Sequence, residues 1–376
     1  MRKIQMVDLH SQYEKIKSEI DEAISDVIKS TAFIKGAKVG EFASELTSYL
    51  NVKHVIPCGN GTDALQIAIM SLGLKPSDEI ICPDFTFIAS AEVIGLLGYR
   101  PVFVDVDYDS FNVTAKNIEQ AISIKTKAII PVHLFGQAAP MEAILEIAKK
   151  YDLYVIEDTA QAIGADYIFS DGRKQKLGTI GTIGCTSFFP SKNLGCYGDG
   201  GALFTDDDEL SERLKMIANH GMKVRYHHDI LGVNSRLDTI QAAILSTKLK
   251  YLDRYEQARQ ETAKKYDEAF GNIDDLVIPK KETFSTHVYH QYTLKVKNWK
   301  RDDLRTFLEQ NDIPSMVYYP VPLHKQKAFL PIARQGGALN ISETLAEQVL
   351  SLPMHTELDE EQQTYIICKV REFFNK

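Results

Sequence analysis

The feature that most limits how this chain can fold is a regular alternation of short apolar segments with amphipathic helical segments. Five segments have the apolar, β-branched composition of strands, at residues 54–57, 79–82, 101–106, 127–132 and 153–158. The stretches between them repeat apolar residues at helical spacing, at 62–74, 88–98, 114–123 and 141–151. Strands that are apolar on both faces and separated by helices predict a largely parallel sheet with helices on both sides.

The pattern changes after about residue 250. One long polar helix is predicted over about 239–270, followed by a strand-like segment at 289–296 and a helical segment at 302–310. A chain of 376 residues is long enough for two domains. We therefore predict a large α/β domain at residues 1–250 and a smaller C-terminal α+β domain at residues 251–376.

Charge and composition argue against several classes of protein. The 43 basic and 51 acidic side chains give a net charge of −8 without a basic block, so nucleic acid is not an expected partner. No apolar run is long enough to cross a membrane, and the N-terminus lacks the apolar region of a secretory signal. Five scattered cysteines without CxxC spacing favour a reduced, cytoplasmic protein.

Ligands of an open α/β sheet collect at the carboxyl ends of its strands, so the residues that follow each strand are candidates for a site. The first predicted strand is followed by "CGNGTDALQ", in which Gly61 and Thr62 directly precede an apolar helix. Free backbone amides at a helix N-terminus bind anions, and the Thr62 hydroxyl adds a donor. The alternative is an ordinary helix cap and turn.

A carboxylate and an amide follow a later strand, in "VIEDTAQAIGA". Asp158 ends a fully apolar strand, where an unpaired carboxylate is unfavourable unless it faces a protonated group. Gln161 lies one helical step further along and offers an amide. Asp158 is therefore predicted to pair with a cationic ligand nitrogen, and the alternative is a helix N-cap.

Lys192 stands in "TSFFPSKNLGCYGDGGALF", between two strand-like segments and before a cluster of glycines. A lysine held at the end of a strand and partly desolvated has a lowered pKa, which makes its neutral amine available to form a Schiff base. The hydroxyl of Ser187 could hold a phosphate. The alternative is a solvated loop lysine.

Taken together, these candidates match one ligand. Pyridoxal 5′-phosphate needs an anchor for its phosphate, an acid that keeps its pyridine nitrogen protonated, and a lysine that holds its aldehyde. The chain offers all three in sequence order, each after a predicted strand. This combination predicts a cofactor-dependent enzyme more strongly than any one motif does.

Six motifs carry a resemblance to a known family: "GNGTDALQIA", "PDFTFIASAE", "VIEDTAQAIGA", "TSFFPSKNLGCYGDGGALFT", "GVNSRLDTIQAAIL" and "YYPVPLHKQ". They resemble the DegT/DnrJ/EryC1/StrS nucleotide-sugar aminotransferases nearly end to end. The resemblance implies the fold of aspartate aminotransferase (fold type I) and a homodimer whose active sites lie at the subunit interface. Within the family, the motifs are most similar to those of enzymes that aminate C3 of UDP-2-acetamido-2-deoxy-3-oxo-D-glucuronate for bacterial O-antigen (lipopolysaccharide) synthesis.

The resemblance also implies roles for individual residues. Lys192 would form the Schiff base with pyridoxal phosphate and shuttle a proton, with a pyridoxamine phosphate form as intermediate. Asp158 would pair with the pyridine nitrogen, Gln161 would bond the ring oxygen, and Phe87 would stack on the ring. The expected phosphate ligands are Gly61, Thr62, Ser187 and Asn234 of the partner subunit.

Substrate contacts are expected from three stretches that are polar, aromatic or both. The candidate residues are Arg225, Tyr226, Arg236, Tyr318, Tyr319 and His324. Arg236 suits a carboxylate or a diphosphate, and its alternative is an ion pair with Asp238. The family commonly has histidine at the position of Tyr318. The adjacent His227, His228 and Asp229 are not expected to bind a metal, because neighbouring histidines point in different directions.

The implied reaction takes an amino group from L-glutamate and delivers it to a nucleotide-linked keto-sugar. One alternative is an aminotransferase for a dTDP-linked 3-keto- or 4-keto-6-deoxyhexose. Another is a sugar dehydratase on the same scaffold, but such relatives carry histidine where this chain has Lys192. A third is a non-catalytic regulatory protein.

Overall fold

An eight-stranded sheet forms the centre of the computed structural model, which describes residues 2–375. Its spatial order is β1-β9-β8-β5-β4-β2-β3-β14, and only β9 runs against the other strands. The strands are β1 (His54–Cys58), β2 (Glu79–Pro83), β3 (Arg100–Val104), β4 (Thr126–Ile129), β5 (Tyr154–Asp158), β8 (Ile183–Ser187), β9 (Gly201–Thr205) and β14 (Arg334–Gln335). The five strands predicted from the sequence, β1 to β5, are confirmed.

Helices cover both faces of this sheet, because consecutive strand residues point to opposite sides. Two buried apolar clusters lie on the two faces of the sheet. Ile80 of β2 and Ile156 of β5 belong to one cluster, and their chain neighbours Ile81 and Val155 belong to the other. The helices of the first 250 residues are α1 (Leu9–Ser30), α2 (Ala37–Leu50), α3 (Gly61–Ser71), α4 (Ala89–Leu96), α5 (Ala115–Ala121), α6 (Met141–Tyr151), α7 (Asp208–Ile217) and α8 (Thr239–Leu249). Two hairpins, β6 (Asp166–Ile168) with β7 (Lys174–Lys176) and β10 (Met222–Val224) with β11 (His227–His228), extend from this body.

The C-terminal part has its own antiparallel sheet and its own core. The sheet runs β12-β13-β15, and a separate buried cluster packs it against helices. These elements are α9 (Leu252–Phe270), β12 (Leu276–Val277), β13 (Tyr292–Val296), α10 (Arg301–Gln310), α11 (Asn340–Gln348), β15 (Val349–Leu352) and α12 (Glu360–Phe374). The division at residue 250 stays a prediction, and β14 joins the large sheet beside β3 although it comes from beyond that boundary.

The prediction of one helix over about 239–270 is wrong. The structure has two helices, α8 and α9, which break at Lys250 and Tyr251. The two helices have different surroundings: α8 is buried on most sides against α1 and α2, whereas α9 is charged and buries one face. Neither glycine nor proline marks the break, so the sequence gives no local signal for it. Among residues 2–375, no helix is long and apolar enough to cross a membrane.

Candidate active site

A cavity of about 600 Å³ lies where β1, β2, β5 and β8 end at their carboxyl termini. This is the edge of the sheet at which the sequence predicts a ligand site. The walls combine apolar rings with a few polar groups that converge on one space. Nine predicted site residues line it: Gly61, Thr62, Phe87, Asp158, Gln161, Ser187, Lys192, Tyr318 and Tyr319.

The turn between β1 and α3 places two backbone amides on the cavity wall. Asn60 caps α3, with its side-chain oxygen accepting from the Asp63 amide at 2.8 Å. The amides of Gly61 and Thr62 precede the first helical hydrogen bond, so they remain free for an anion. A Cβ on Gly61 would lie 2.6 Å from the Ser187 Cβ, so only glycine lets this turn approach the end of β8. The cap and the predicted anion site therefore coexist.

Asp158 presents a carboxylate to the cavity from the last position of β5. The Ser90 hydroxyl donates to Asp158 Oδ2 at 2.8 Å, and the Ala160 amide donates to Oδ1 at 3.1 Å. The side chain is buried, yet no basic side chain pairs with it within residues 2–375. Two donors hold the carboxylate in place and leave it available to a cationic group in the cavity.

The neighbouring carboxylate, Glu157, points to the opposite face of the sheet and is fully occupied there. It accepts from the amides of Gly178 at 2.9 Å, Ile180 at 2.7 Å and Gly181 at 2.6 Å. His133 Nε2 lies 3.0 Å from it, and this nitrogen is the donor because His133 Nδ1 accepts from the Ala139 amide. Because neighbouring strand residues point to opposite faces, Glu157 bonds the backbone of the fold while Asp158 faces the cavity.

Gln161 is fixed at both ends of its amide. Its oxygen accepts from the Phe135 amide at 2.9 Å, and its nitrogen donates to the Tyr319 hydroxyl at 3.0 Å. The centres of the Phe87 and Tyr319 rings lie 6.2 Å apart. Phe87 lines the cavity, and 53% of its surface is exposed. An exposed aromatic face beside a polar cavity is suited to stack on a planar ligand.

Lys192 is half-buried on the cavity wall, in the turn after β8. Its amide donates to the Phe189 carbonyl at 2.8 Å, whereas its amine has no hydrogen-bond or ion-pair partner in the described part of the chain. Desolvation lowers the pKa of Lys192 from 10.5 to about 8, against the opposing pull of the Asp158 carboxylate. A neutral, unpartnered amine beside a buried acid can act as a nucleophile and a base near neutral pH.

Sequence reasoning missed several residues of the cavity wall. Thr86 is a buried residue of the cavity wall, and its Oγ1 has no hydrogen-bond partner within residues 2–375. Ser90 holds Asp158, and His290 and Gln291 reach the cavity from the C-terminal part. The "DFTFIAS" motif contains Thr86 and Ser90, so their position was visible, although nothing in the sequence singled out their side chains.

Five predicted residues do not line this cavity. Arg225 and Tyr226 lie on the exposed β10–β11 hairpin, where the Arg225 Cζ lies 4.9 Å from the centre of the Tyr226 ring. Asn234 and Arg236 flank Ser235, whose hydroxyl donates to Asp63 at 2.6 Å. No ion pair joins Arg236 to Asp238 in the described part of the chain. His324 bonds two carboxylates beyond the cavity wall.

A mostly parallel sheet with an aspartate and a lysine on the cavity wall at its carboxyl edge is typical of transferases of the pyridoxal-phosphate fold type I class. Residues 14–371 match the DegT/DnrJ/EryC1/StrS aminotransferase family, and the chain belongs to this family. This confirms the predicted resemblance, the fold class and the prediction of an aminotransferase.

Three relatives span nearly the whole chain. A "pleiotropic regulatory protein" of Geobacillus stearothermophilus is 47% identical over 99% of this chain and 98% of its own length. The UDP-2-acetamido-2-deoxy-3-oxo-D-glucuronate aminotransferase of Pseudomonas aeruginosa is 45% identical over 95% of this chain and 96% of its own length. The UDP-N-acetyl-3-dehydro-alpha-D-glucosamine 3-aminotransferase of Acidithiobacillus ferrooxidans is 44% identical over 98% of this chain and 97% of its own length.

Two solved structures have nearly the same fold. A DegT/DnrJ/EryC1/StrS aminotransferase from Brucella abortus superposes with a TM-score of 0.94 at 42% identity, covering 99% of this chain and 100% of that one. DesV of S. venezuelae, solved in complex with a ketimine intermediate, superposes with a TM-score of 0.95 at 37% identity, and each chain is covered in full.

Proposed function

We propose that this protein is a pyridoxal-phosphate-dependent aminotransferase that moves an amino group from L-glutamate to a nucleotide-linked keto-sugar. The observation that carries the proposal is the Lys192 amine, which is desolvated and without a partner on a cavity wall that also presents Asp158. L-Glutamate becomes 2-oxoglutarate, and the keto-sugar becomes an amino sugar. Both substrates would use the same cavity in turn.

The cavity residues fit the cofactor. Lys192 and Thr86 offer polar groups without partners, and the Gly61 turn offers free amides beside the Ser187 hydroxyl. Lys192 would hold the aldehyde, Asp158 the pyridine nitrogen, Gln161 the ring oxygen and Phe87 the ring face. When bound, the cofactor supplies an electron sink for the carbon that loses its proton.

The chain's own residues would carry the proton and control its path. Lys192 Nζ would take the α-proton of the amino donor and, in the second half of the reaction, return a proton to the sugar carbon. A pKa of about 8 suits this role, because a general base works best near the operating pH. The apolar side chains of Phe87, Val132 and Phe135 on the cavity wall would limit water beside the reacting atoms.

The sugar is proposed to be UDP-2-acetamido-2-deoxy-3-oxo-D-glucuronate, as part of a bacterial polysaccharide pathway such as O-antigen synthesis. The support is that two relatives at 45% and 44% identity are named for UDP-linked sugars with a 3-oxo or 3-dehydro group. The alternative is a dTDP-linked sugar, and the Streptomyces venezuelae relative named for such a sugar is 37% identical. Tyr318 and Tyr319 would contact the sugar from the cavity wall.

A homodimer with shared sites belongs to the same proposal. The β10–β11 hairpin and the loop after it expose large apolar side chains, with Val224 61%, Tyr226 76% and Leu231 90% exposed. A surface of this kind is suited to cover a second subunit. A cytoplasmic location is supported by five cysteines, none of which forms a disulfide.

Shared sites can be tested by mixing inactive variants. Lys192→Ala and Asn234→Ala would each be inactive alone. After mixing and subunit exchange, mixed dimers would regain one intact site if Asn234 serves the partner's cavity. Subunit exchange is verified by co-purification of differently tagged subunits. If no activity returns after verified exchange, the shared site is contradicted.

The catalytic proposal is tested by titrating the apo-protein with pyridoxal phosphate. We expect a yellow absorbance band that L-glutamate bleaches and that Lys192→Ala lacks, whereas Lys215→Ala, a surface lysine paired with Glu212, retains it. Amination of UDP- and dTDP-linked keto-sugars then identifies the acceptor. A protein that gains no band would support a regulatory role, as the name of the Geobacillus stearothermophilus relative suggests.

A further inference from the structure

His324 is anchored away from the cavity by contacts to two carboxylates. Its backbone amide donates to Asp84 Oδ1 at 2.7 Å, and its Nδ1 lies 2.6 Å from Asp84 Oδ2. Its Nε2 lies 3.1 Å from Glu343 Oε1 on the outer side. Asp84 is fully buried, whereas Glu343 keeps 41% of its side chain exposed and also pairs with Lys325.

These contacts fasten one end of a segment that crosses between the two parts of the chain. At residue 316 the segment is bonded to β15, because Met316 and Ser351 exchange both backbone hydrogen bonds. At its other end, Leu323 donates to the Asp84 carbonyl at 3.0 Å, beside the His324 contacts. Between these two anchors, residues 317–322 make no backbone hydrogen bond to the large sheet within residues 2–375.

Tyr318 and Tyr319 lie in the middle of this segment and line the cavity. The Tyr319 ring lies 6.1 Å from the Phe85 ring and 6.2 Å from the Phe87 ring, and its hydroxyl accepts from Gln161. Phe85 and Phe87 follow Asp84 directly in the chain. One turn after β2 therefore carries both the acid that holds the segment and the two rings that contact Tyr319.

We propose that Asp84 and His324 are positioning residues that hold Tyr318 and Tyr319 over the cavity and so control binding of the keto-sugar. This inference rests on the proposed function for its substrate, but not for its structural part. The Asp84 contact is made to a fully buried carboxylate, whereas the Glu343 contact is open to solvent, so the inner contact carries the effect.

Four variants separate the inner contact from the outer one. His324→Ala removes both side-chain contacts, and Asp84→Asn replaces one of the two acceptor oxygens with a donor. His324→Asn is the conservative replacement, because its amide nitrogen can take the place of Nδ1 but cannot reach Glu343. Glu343→Gln is the matched control, since it alters only the solvent-exposed contacts to His324 and Lys325 and leaves the Asp84 contact in place.

The first readout is hydrogen exchange of the apo-protein, measured by mass spectrometry. We expect peptides covering residues 316–325 to exchange on the order of tenfold faster in His324→Ala and Asp84→Asn. Exchange should return toward the wild-type rate in His324→Asn and stay unchanged in Glu343→Gln. Unchanged exchange in His324→Ala, or an equal increase in the β2 and β5 peptides, would overturn the proposal.

The second readout separates the two half-reactions of the loaded enzyme. We expect the KM for the keto-sugar to rise on the order of tenfold in His324→Ala, while bleaching by L-glutamate keeps its rate within about twofold. An equal loss in both half-reactions would refute control of sugar binding. If the wild-type protein aminates no sugar, the proposed function fails, and the exchange measurement still tests the clasp formed by Asp84 and His324.

Discussion

The amine of Lys192 should titrate near pH 8 in the apo-protein, and replacing Asp158 should move that value down. Desolvation lowers the pKa of Lys192 from 10.5 to about 8, and the Asp158 carboxylate is the charge that opposes this shift. At pH 7 a pKa of 8 leaves about one amine in ten neutral, about 300 times the fraction expected at a pKa of 10.5. The structure thus provides most of the activation of this amine before any cofactor binds.

The measurement is a pH titration of lysine amines that have been labelled by reductive ¹³C-methylation and observed by NMR. The resonance absent from Lys192→Ala identifies the residue. In Asp158→Asn the carboxylate's stabilisation of the ammonium is lost, so the pKa of Lys192 should fall below 8. Ser90 and Ala160 can still contact the asparagine side chain, so the fold around it should persist.

Two outcomes would refute this reasoning. A Lys192 titration above about pH 9.5 would mean that water reaches the amine and that burial does not govern its pKa. A higher pKa in Asp158→Asn would mean that the acid does not act on the amine through its charge. The resonance of Lys215, an exposed lysine paired with Glu212, should be the same in both proteins and serves as the internal reference.

Three further predictions follow from individual contacts. Gly61→Ala places a Cβ 2.6 Å from Ser187, so absorbance titration should show pyridoxal-phosphate affinity reduced about tenfold or more, whereas Gly40→Ala meets no atom within 4 Å and should leave it unchanged. Glu157→Gln sets an amide nitrogen against backbone donors and should lower the free energy of unfolding in urea by about 2–4 kcal/mol. Lys248 is buried and has a folded-state pKa of about 8, below 10.5, so unfolding takes up a proton between these values and stability rises with pH across that window. Lys248→Met should remove about 2 kcal/mol of that rise between pH 8 and pH 10 in chemical denaturation.

The sheet and most of the residues that line the cavity were predictable because both depend on local sequence patterns. A strand buried on both faces must be apolar throughout, so a polar residue at its end, such as Asp158, stands out. The same pattern does not show which of two consecutive acids faces the ligand. Glu157 is assigned to structure only by three amides and His133, which the fold brings to it from other segments.

The clasp could not be predicted, because its partners lie 240 positions apart. His324 was expected to contact the substrate, and the structure gives it Asp84 and Glu343 instead. A histidine in a polar motif has the same local sequence whether it binds a ligand or another side chain. The break between α8 and α9 was missed because no glycine or proline marks it in the sequence.

A lowered pKa by itself does not single out Lys192 as the proposed reactive lysine. Lys192 and Lys248 both have a pKa of about 8, and desolvation is the main cause in each case. Lys248 donates to the Gly195 carbonyl at 2.6 Å and lies 5.3 Å from the centre of the Tyr197 ring, so its amine is engaged. Within residues 2–375 the Lys192 amine has no such partner, and Lys192 lines the cavity. Lys248 binds the backbone carbonyl of Gly195, three residues after Lys192. Lys248 therefore helps to hold in place the turn that carries Lys192.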